Sequence, residues 1–420
     1  MDTLLNVLEA SKIIGVSPDT IRRWDKKGLV KATRSTLNHR LFNIVELQRI
    51  QSKISGNHKG NNYKILKAKK KSKYSVVELF AGAGGTALGF HNAGLKHALL
   101  TDWDKNATDT LKKNNPAWNV VHDDVTKIDF SGIAADIVEA GFPCQAFSAA
   151  GKKLGFEDVR GTMFFEFARA IKEIKPKIAM GENVKGLLKH DNGKTLNIIV
   201  DVLKNLGYKV AYKVLRAQYL DVPQKRERLV ILAIREDLDL PFLFPKEQDY
   251  TISLKEALEN CPKSPGQIYP QRKREILEKI PPGGYWRDLP LDLRKEYMKA
   301  SFYMEGGKTG MARRLSWDEP SLTLTCAPAQ KQTERCHPEE TRPLTVREYA
   351  RIQTFPDDWE FVGSVSSQYK QIGNAVPTNL GYHMGRCLIA MLNNKPDLKT
   401  MDVVEKNNSD FPIPKQIILL

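Results

Sequence analysis

The sequence predicts an α/β chain organised on a doubly wound, mostly parallel sheet, and three observations predict it. From Tyr74 onward, strand-like runs (YSVVELF, HALLTD, ADIVEA, KIAMGE, YKVAYKVLRA and RLVILAI) alternate with helix-length amphipathic stretches such as TMFFEFARAIKEIK and GKTLNIIVDVLKNLG. That alternation is what a parallel sheet wrapped by helices requires. The first strand runs into a glycine-rich turn, ELFAGAGG, that opens a helix, as open α/β sheets do at the edge where they bind ligands. Between about Pro241 and Arg342 the alternation breaks into PPGGYWRDLP and EGGKTGMARRL, rich in glycine, proline, arginine and aromatics. A smaller, loop-rich second domain is expected there.

The first 50 residues form a separate unit. VLEASKIIG places apolar residues at helical spacing. SPDTIRRWDKKG then offers Ser17 as N-cap and Pro18 at the first helical position. Ile21 and Trp24 share one face of this second helix, while Arg22 and Arg23 are candidate phosphate contacts. RSTLNHRLFNIVEL reads as a turn and a short strand, a winglet, followed by another helix. The pattern resembles the winged helix-turn-helix of mercury-resistance-type regulators and phage excisionases; a helical cap that only packs is the plainer alternative. Residues 55–73 lose periodicity and are rich in glycine, asparagine and lysine, which predicts a flexible, charged linker whose lysines touch DNA phosphates nonspecifically.

Composition narrows the class. The chain has 420 residues, 41% hydrophobic and 27% charged, an ordinary globular balance. No run approaches the roughly 18 apolar residues of a membrane span, and MDTLLNVLEASK lacks the basic start and long apolar core of a signal peptide. The five cysteines are scattered without a CxxC pair, which argues against disulfides or a zinc site and for a reducing cytoplasm. Net charge is +16, and residues 1–73 hold 17 Lys and Arg against 5 Asp and Glu. Such asymmetry points to a polyanion, most simply nucleic acid, over a basic arm kept for solubility.

The chemistry-bearing residues sit after strands. Gly82, Gly84 and Gly85 permit a tight turn, and Asp102 follows Gly82 by twenty residues, the spacing of a ribose-binding acid. The GxGG spacing disfavours a dinucleotide and hence a nicotinamide oxidoreductase; a simple helix-capping turn also fits the loop. Trp103 adjoins that acid, and Asp123 and Asp124 end the next short strand. Cys144, in GFPCQAFS, lies just past the end of ADIVEA, and Glu182 lies just past KIAM. A buried cysteine is usually packing, but a thiolate and a carboxyl at neighbouring strand ends could converge on one substrate. Arg226 and Arg228, two apart in QKRER, share a face if extended and would favour the thiolate.

In these motifs and their order the chain resembles the DNA cytosine-5 methyltransferases that use S-adenosylmethionine. FAGAGG, TDWD, GFPCQAFS, ENV, QKRER, RPLTVREYARIQTFPD and QYKQIGNAVP carry the resemblance over residues 75–392. It implies Cys144 as nucleophile toward carbon 6 of a flipped cytosine, Glu182 at ring nitrogen 3 and the exocyclic amine, and Arg226 with Arg228 orienting the base. It implies a cofactor pocket of Phe80, Gly82, Gly84, Gly85, Asp102, Trp103, Asp124, Val125, Pro143, Asn374 and Ala375. Asp102 stands where many relatives carry Glu. AFSAAGKKLGFEDVRG, with Ser148, would be a loop that closes on DNA. Thr323 would lie near the flipped nucleotide's backbone, and Arg313 and Arg314 are candidate contacts to guanine or phosphate, with structural roles as the alternative.

The implied division is a helix-turn-helix at 1–54, a linker at 55–73, a catalytic domain at 74–240, a target-recognition domain at 241–340, a return to the catalytic domain at 341–395 and a tail at 396–420. The expected setting is a bacterial cytoplasm with its nucleoid, a monomer acting on double-stranded DNA, no membrane, and a restriction endonuclease acting on the same site. A transfer-RNA methyltransferase and a DNA-binding repressor are the rival readings.

Overall fold

The protein is described by a computed structural model covering residues 4–14, 16–26, 30, 32–35, 39–44, 47, 61–143, 163–306 and 308–404. Cys144, Ser148, the 146–161 loop and the Arg23 side chain lie outside the described residues.

The N-terminal unit comprises β1 (Leu4–Asn6), α1 (Val7–Ile14), α2 (Pro18–Lys26), β2 (Thr33–Arg34) and β3 (Arg40–Asn43), with strand order β1-β3-β2. Ser17 Oγ accepts the Thr20 amide at 3.1 Å, so the residue expected to cap α2 does so. Leu5, Ala10, Ile14, Ile21, Trp24 and Phe42 close a small core of their own. The wing is the β2–β3 hairpin.

The large sheet is built from β4 (Ser75–Leu79), α3 (Gly85–Ala93), β5 (Lys96–Asp102), α4 (Lys105–Asn114), β6 (Val120–His122), β7 (Ile137–Ala140), α5 (Met163–Ile174), β8 (Ile178–Val184), α6 (Lys194–Asn205), β9 (Tyr208–Arg216), β10 (Gln224–Lys225) and β11 (Glu227–Arg235). The seven-stranded order is β6-β5-β4-β7-β8-β11-β9, parallel except that β11 runs against both of its neighbours. The order reverses between β4 and β7, so a crevice opens there at the carboxyl edge. Both faces are covered, which is why the strands read as apolar runs. Val77, Leu79, Val138 and Ala179 face α5 and α6. Val76, Ile137, Ile178 and Val230 pack instead with Leu380, Met384 and Leu388 of the C-terminal helix.

The chain continues through β12 (Phe242–Pro245), α7 (Leu254–Leu258), α8 (Gln271–Glu278), α9 (Leu291–Met298), β13 (Ser321–Leu322), α10 (Val346–Ile352), α11 (Val365–Asn374), α12 (Thr378–Leu392) and β14 (Met401–Val404). Tyr269, Ile276, Leu277, Trp286, Leu289, Tyr297, Met298 and Cys336 form a separate core, so the loop-rich segment folds around its own interior. Its amino-terminal part belongs elsewhere: Leu254 and Leu258 pack with α10 and α11. α12 lies close against α3, since a Cβ on Gly89 would come within 2.5 Å of the Thr378 carbonyl and 2.7 Å of the Gly381 carbon. Residues expected in a loose tail are partly strand, for β14 pairs antiparallel with β12.

The linker expectation also needs correction. Residues 61–73 form an extended strap docked on the catalytic domain. The Asn61 side chain donates to the Glu256 carbonyl (3.0 Å), Tyr63 Oη to the Arg351 carbonyl (2.9 Å), the Ala68 amide to Asn92 O (2.7 Å) and the Ser72 amide to Gly94 O (2.8 Å). The buried Asn379 at the head of α12 clamps the middle: its Oδ1 accepts the Leu66 amide (2.9 Å), and its Nδ2 donates to the carbonyls of Lys64 (2.9 Å) and Asp221 (2.7 Å). Composition mimics a linker because the strap is held by backbone groups and polar side chains rather than by an apolar stripe. Asn379→Ala is expected to destabilise the protein by about 2–4 kcal/mol and to raise amide exchange at Leu66 and Ala68 selectively; exchange mass spectrometry reads both, and unchanged protection there would remove the clamp.

Candidate active site

Three strand ends define the site. Leu79, Ala140 and Gly181 are register partners on β4, β7 and β8, so the next row is Phe80, Gly141 and Glu182. Glu182 Oε2 lies 3.5 Å from where a Cβ on Gly141 would be, so this carboxyl crosses the stretch leading to Cys144. Asn183 Nδ2 donates to the Phe142 carbonyl at 2.9 Å, and the Phe142 ring packs against Phe164 and Phe167. The backbone two residues before Cys144 is therefore pinned to β8, a role for Asn183 that its sequence does not announce. On β11, Arg228 Nε stands 2.6 Å from Glu182 Oε1, both side chains being 13% exposed.

Beside this edge lies a second cluster. Phe80 adopts φ +59°, rare for an aromatic residue and an observed local strain. Gly82 is left-handed, and a Cβ there would meet nothing within 4 Å, so it fronts open space. The other two glycines make room for protein: a Cβ on Gly85 would lie 2.0 Å from the Val376 carbonyl, and one on Gly84 2.6 Å from Leu111 Cδ2. Asp102 accepts the Gly82 amide on Oδ2 and the Asp104 amide on Oδ1, each at 2.8 Å. Burial raises its proton affinity, opposed by those two amides. Two acceptor positions on its oxygens remain for a further donor.

Trp103 is 75% exposed, while its carbonyl lies 3.1 Å from His122 Nε2. Asp124 caps the 125–127 turn, accepting from the Thr126 amide (3.0 Å) and hydroxyl (2.9 Å). Those hydrogen bonds hold its exposed carboxyl below the usual range. Val125 is buried beneath it, and Pro143 is exposed. Asn374, reaching in from the end of α11, accepts Cys326 Sγ at 3.0 Å, and Ala375 follows it, buried.

Residues 74–390 match the sequence model of the C-5 cytosine-specific DNA methylases, and residues 6–42 that of the MerR family of regulatory proteins. The chain is 54% identical over 411 residues to the Type II methyltransferase M.Eco47II of Escherichia coli, an alignment covering 93% of this chain and 98% of that one. It is 45% identical over 398 residues to M.Sau96I of Staphylococcus aureus, covering 92% and 88%. A solved DNA modification methyltransferase encoded within an E. coli prophage shares the fold, with a TM-score of 0.56 at 22% identity over 76% of this chain and all of that one. The chain belongs to the C-5 cytosine-specific DNA methylases. It methylates carbon 5 of cytosine in DNA and takes the methyl group from S-adenosylmethionine.

The methylase's second cluster fits that cofactor. An exposed indole, a carboxylate with free acceptor positions, an exposed charged carboxylate and the open space before Gly82 suit a ligand with a flat purine, a ribose diol and an exocyclic amine. Among the described residues no cluster of histidine, cysteine or acids could hold a metal.

Two arginines sit differently from expectation. Arg226 is sealed inside the protein, 2% exposed, with Nη1 donating to the Leu324 carbonyl (3.3 Å) and Nη2 to those of Gly373 (3.2 Å) and Ala375 (3.0 Å). Burial, then the like charge of Arg228, lowers its proton affinity to about 9. Of the QKRER pair only Arg228 meets Glu182. The reason is that β10 pairs with β13, which turns residue 226 inward between the recognition segment and the C-terminal return. Arg314, offered as a DNA contact, is also consumed internally, 3% exposed and bonded to the carbonyls of Leu277 (2.8 Å) and His337 (3.2 Å) and to Thr341 Oγ1 (2.8 Å). A guanidinium buried to this degree, with both Nη groups spent on internal acceptors, is out of reach of a base. Arg313 is partly exposed over the Tyr285 ring, 5.7 Å from its centroid. Thr323 Oγ1 donates to the Lys225 carbonyl at 2.6 Å, joining β10 to the recognition segment. Arg22 is exposed on α2 and paired with Asp19 at 2.7 Å.

The two neighbouring arginines should separate on substitution. Arg226→Lys cannot fork to three carbonyls and is expected to lower stability by about 3 kcal/mol. Arg228→Lys is expected to stay within about 1 kcal/mol of the parent while slowing methyl transfer. Thermal melts and single-turnover rates together check this; equal melting losses would contradict it.

Proposed function

We propose that Cys144, Glu182 and Arg228 form the catalytic centre, with Arg226 acting at one remove by holding its walls. The observation that carries this reading is Glu182 lying across Gly141 while bonded to Arg228, three residues before the thiol. Cytosine is electron-poor at carbon 6 and a weak nucleophile at carbon 5. Addition of the Cys144 thiolate to carbon 6 converts the ring to an enamine, and carbon 5 becomes the nucleophile. Glu182 accepts from the exocyclic amine and offers a proton to nitrogen 3, relieving charge as the enamine forms. Arg228 fixes the Glu182 carboxyl and opposes negative charge, as a preorganised cation does. S-adenosylmethionine supplies an electrophilic methyl group; Asp102 would hold its ribose, and Trp103 and Asp124 its adenine. Loss of the carbon-5 proton then expels the thiol. Carbon 6 is shielded in a stacked duplex, so the base is flipped out.

The relatives are Type II methyltransferases, which supports a role in protecting host DNA from an endonuclease of the same specificity. Residues 241–340 would read the target, and the chain would act as a cytoplasmic monomer; no helix among the described residues is long and apolar enough to cross a membrane. Bisulfite sequencing of plasmid from expressing cells gives the modified site. Cys144→Ser is expected to lose at least about 10⁴-fold in rate while keeping DNA affinity, and duplexes carrying 5-fluorocytosine should yield a denaturation-resistant adduct with the parent alone. Full activity of the serine variant would refute the nucleophile.

The independent core of the first unit and its match to MerR regulators support a second DNA-binding function, a repressor of the enzyme's own promoter. Deleting residues 1–54 is expected to abolish a footprint on upstream DNA and to spare methylation; loss of methylation instead would assign the unit to target binding.

A further inference from the structure

Glu182 belongs to a buried row of acids that the mechanism above does not use. Glu78 on β4 and Glu139 on β7 are register partners, so they point to the same sheet face; Glu139 is also the partner of Met180, two residues before Glu182 on the same face of β8. Glu78 is 0% and Glu139 2% exposed. Three carboxyls thus line adjacent strands, Glu78 and Glu139 sealed from water and Glu182 at the floor of the cleft. The groups facing Glu139 are Glu78 and Glu182. Behind them stand His97 of β5, whose Nδ1 is 3.0 Å from Glu78 Oε1, and Arg228 of β11, bonded to Glu182. His97 Nε2 lies 3.0 Å from the Ala87 carbonyl, to which it must donate, and apart from His97 no donor reaches Glu78 among the described residues. Of the covering helices, α3 brings His91, stacked 6.4 Å from His97, and α12 brings His383, paired with Asp221 at 2.8 Å. Arg228 and, through its field, the buried Arg226 bear on Glu182 and one imidazole on Glu78, and among the described residues no cation bears on Glu139.

We propose that Glu139 is a positioning residue for methyl transfer: it stands uncharged between Glu78 and Glu182, and its neutrality lets Glu182 share a proton with nitrogen 3 of the flipped cytosine. The proposal rests on the role given to Glu182 above. Burial, then the charges of Glu78 and Glu182, keeps the Glu139 proton on far above the usual carboxylate range. An uncharged acid adds no like charge beside its neighbours, whereas an ionised one repels them. Because the folded carboxyl keeps its proton above the pH at which the unfolded one loses it, both stability and rate decline as pH rises through that interval.

Single-turnover methylation of duplex DNA, measured from about pH 6 to pH 9.5 with saturating S-adenosylmethionine, tests this in the full-length enzyme. The parent should lose rate on the alkaline side. Glu139→Gln, permanently neutral but without a carboxyl proton, should be slower at neutrality by up to about tenfold and flat where the parent declines. Glu139→Asp should restore a decline. An alkaline limb unchanged in Glu139→Gln overturns the proposal. Should the amide variant not fold, the infrared spectrum of the parent decides: a carboxylic-acid carbonyl band persisting at neutral pH and bleaching along the alkaline limb supports it, and absence of the band overturns it. Glu182→Gln in the same assay keeps the two ideas apart. An unchanged rate there removes Glu182 from the chemistry, whereas a large loss combined with an unaltered Glu139→Gln profile removes only Glu139.

Discussion

The cleft depends on a buried guanidinium that, among the described residues, forms no ion pair and feels a carboxylate only through the field of Glu182. Arg226 is buried between the end of the sheet, the recognition segment and the C-terminal return, and it is held only by carbonyls at Leu324, Gly373 and Ala375. Burying a lone cation is unfavourable unless every donor is used. Here Nη1 and Nη2 are answered by stretches about 100 and 150 residues further along the chain while Nε finds no partner among the described residues, so the charge depends on all three carbonyls being assembled. The Gln353 side chain reinforces the same junction, donating to Ile372 O and Ala375 O while bonding Gln224. The position of Asn374 beside the cofactor cluster and that of Arg228 beside Glu182 follow from the one knot. An arginine expected at the substrate does its service from inside.

The C-terminal return is therefore part of the catalytic domain in every physical sense. α12 lies so close to α3 that glycine is required at Gly89, and Gly85 leaves no space for a side chain beside Val376. The glycine turn after β4 and the helix that arrives some 290 residues later are packed backbone to backbone. β14 then pairs with β12, binding the last described residues to the start of the recognition segment. The recognition core is thus an insertion whose two ends are tied down by the domain that carries the chemistry.

Much of this was legible in the sequence, because periodicity and strand ends are local properties. The strands, the turn at Gly82 and the Ser17 cap all depend on a few adjacent residues, whereas Glu182, expected just past a strand, lies within β8 and pairs with Val230. The rest depends on partners far away. QKRER cannot say which arginine faces inward, since that is decided by β10 pairing with β13 nearly 100 residues on. Arg314 in MARRL looks like a DNA contact until the 337–341 stretch closes over it. The strap at 61–73 has the composition of a linker because it is held by backbone groups of Leu66, Ala68 and Ser72 and by the polar side chains of Asn61 and Tyr63, none of which shows as apolar periodicity. Glu139 was hidden for the opposite reason: ADIVEA reads as an apolar strand despite its two acids, and only the register with Glu78 shows that two buried glutamates are neighbours on one sheet face.

The strap also changes what the net charge of +16 means. Lys69, Lys70, Lys71 and Lys73 precede β4, and Ser72 bonds to Gly94 at the far end of α3. They lie at the amino edge of the sheet, whereas the cleft lies at the carboxyl edge. β4 has five residues, which at about 3.3 Å each separate the edges by roughly 17 Å. Exposed charges are screened over about 8–10 Å at physiological salt, so this run contributes little attraction at the cleft. The positive charge there must come from residues around the cleft itself. These four lysines of the 65 basic residues are thus placed on the opposite side of the sheet from the chemistry.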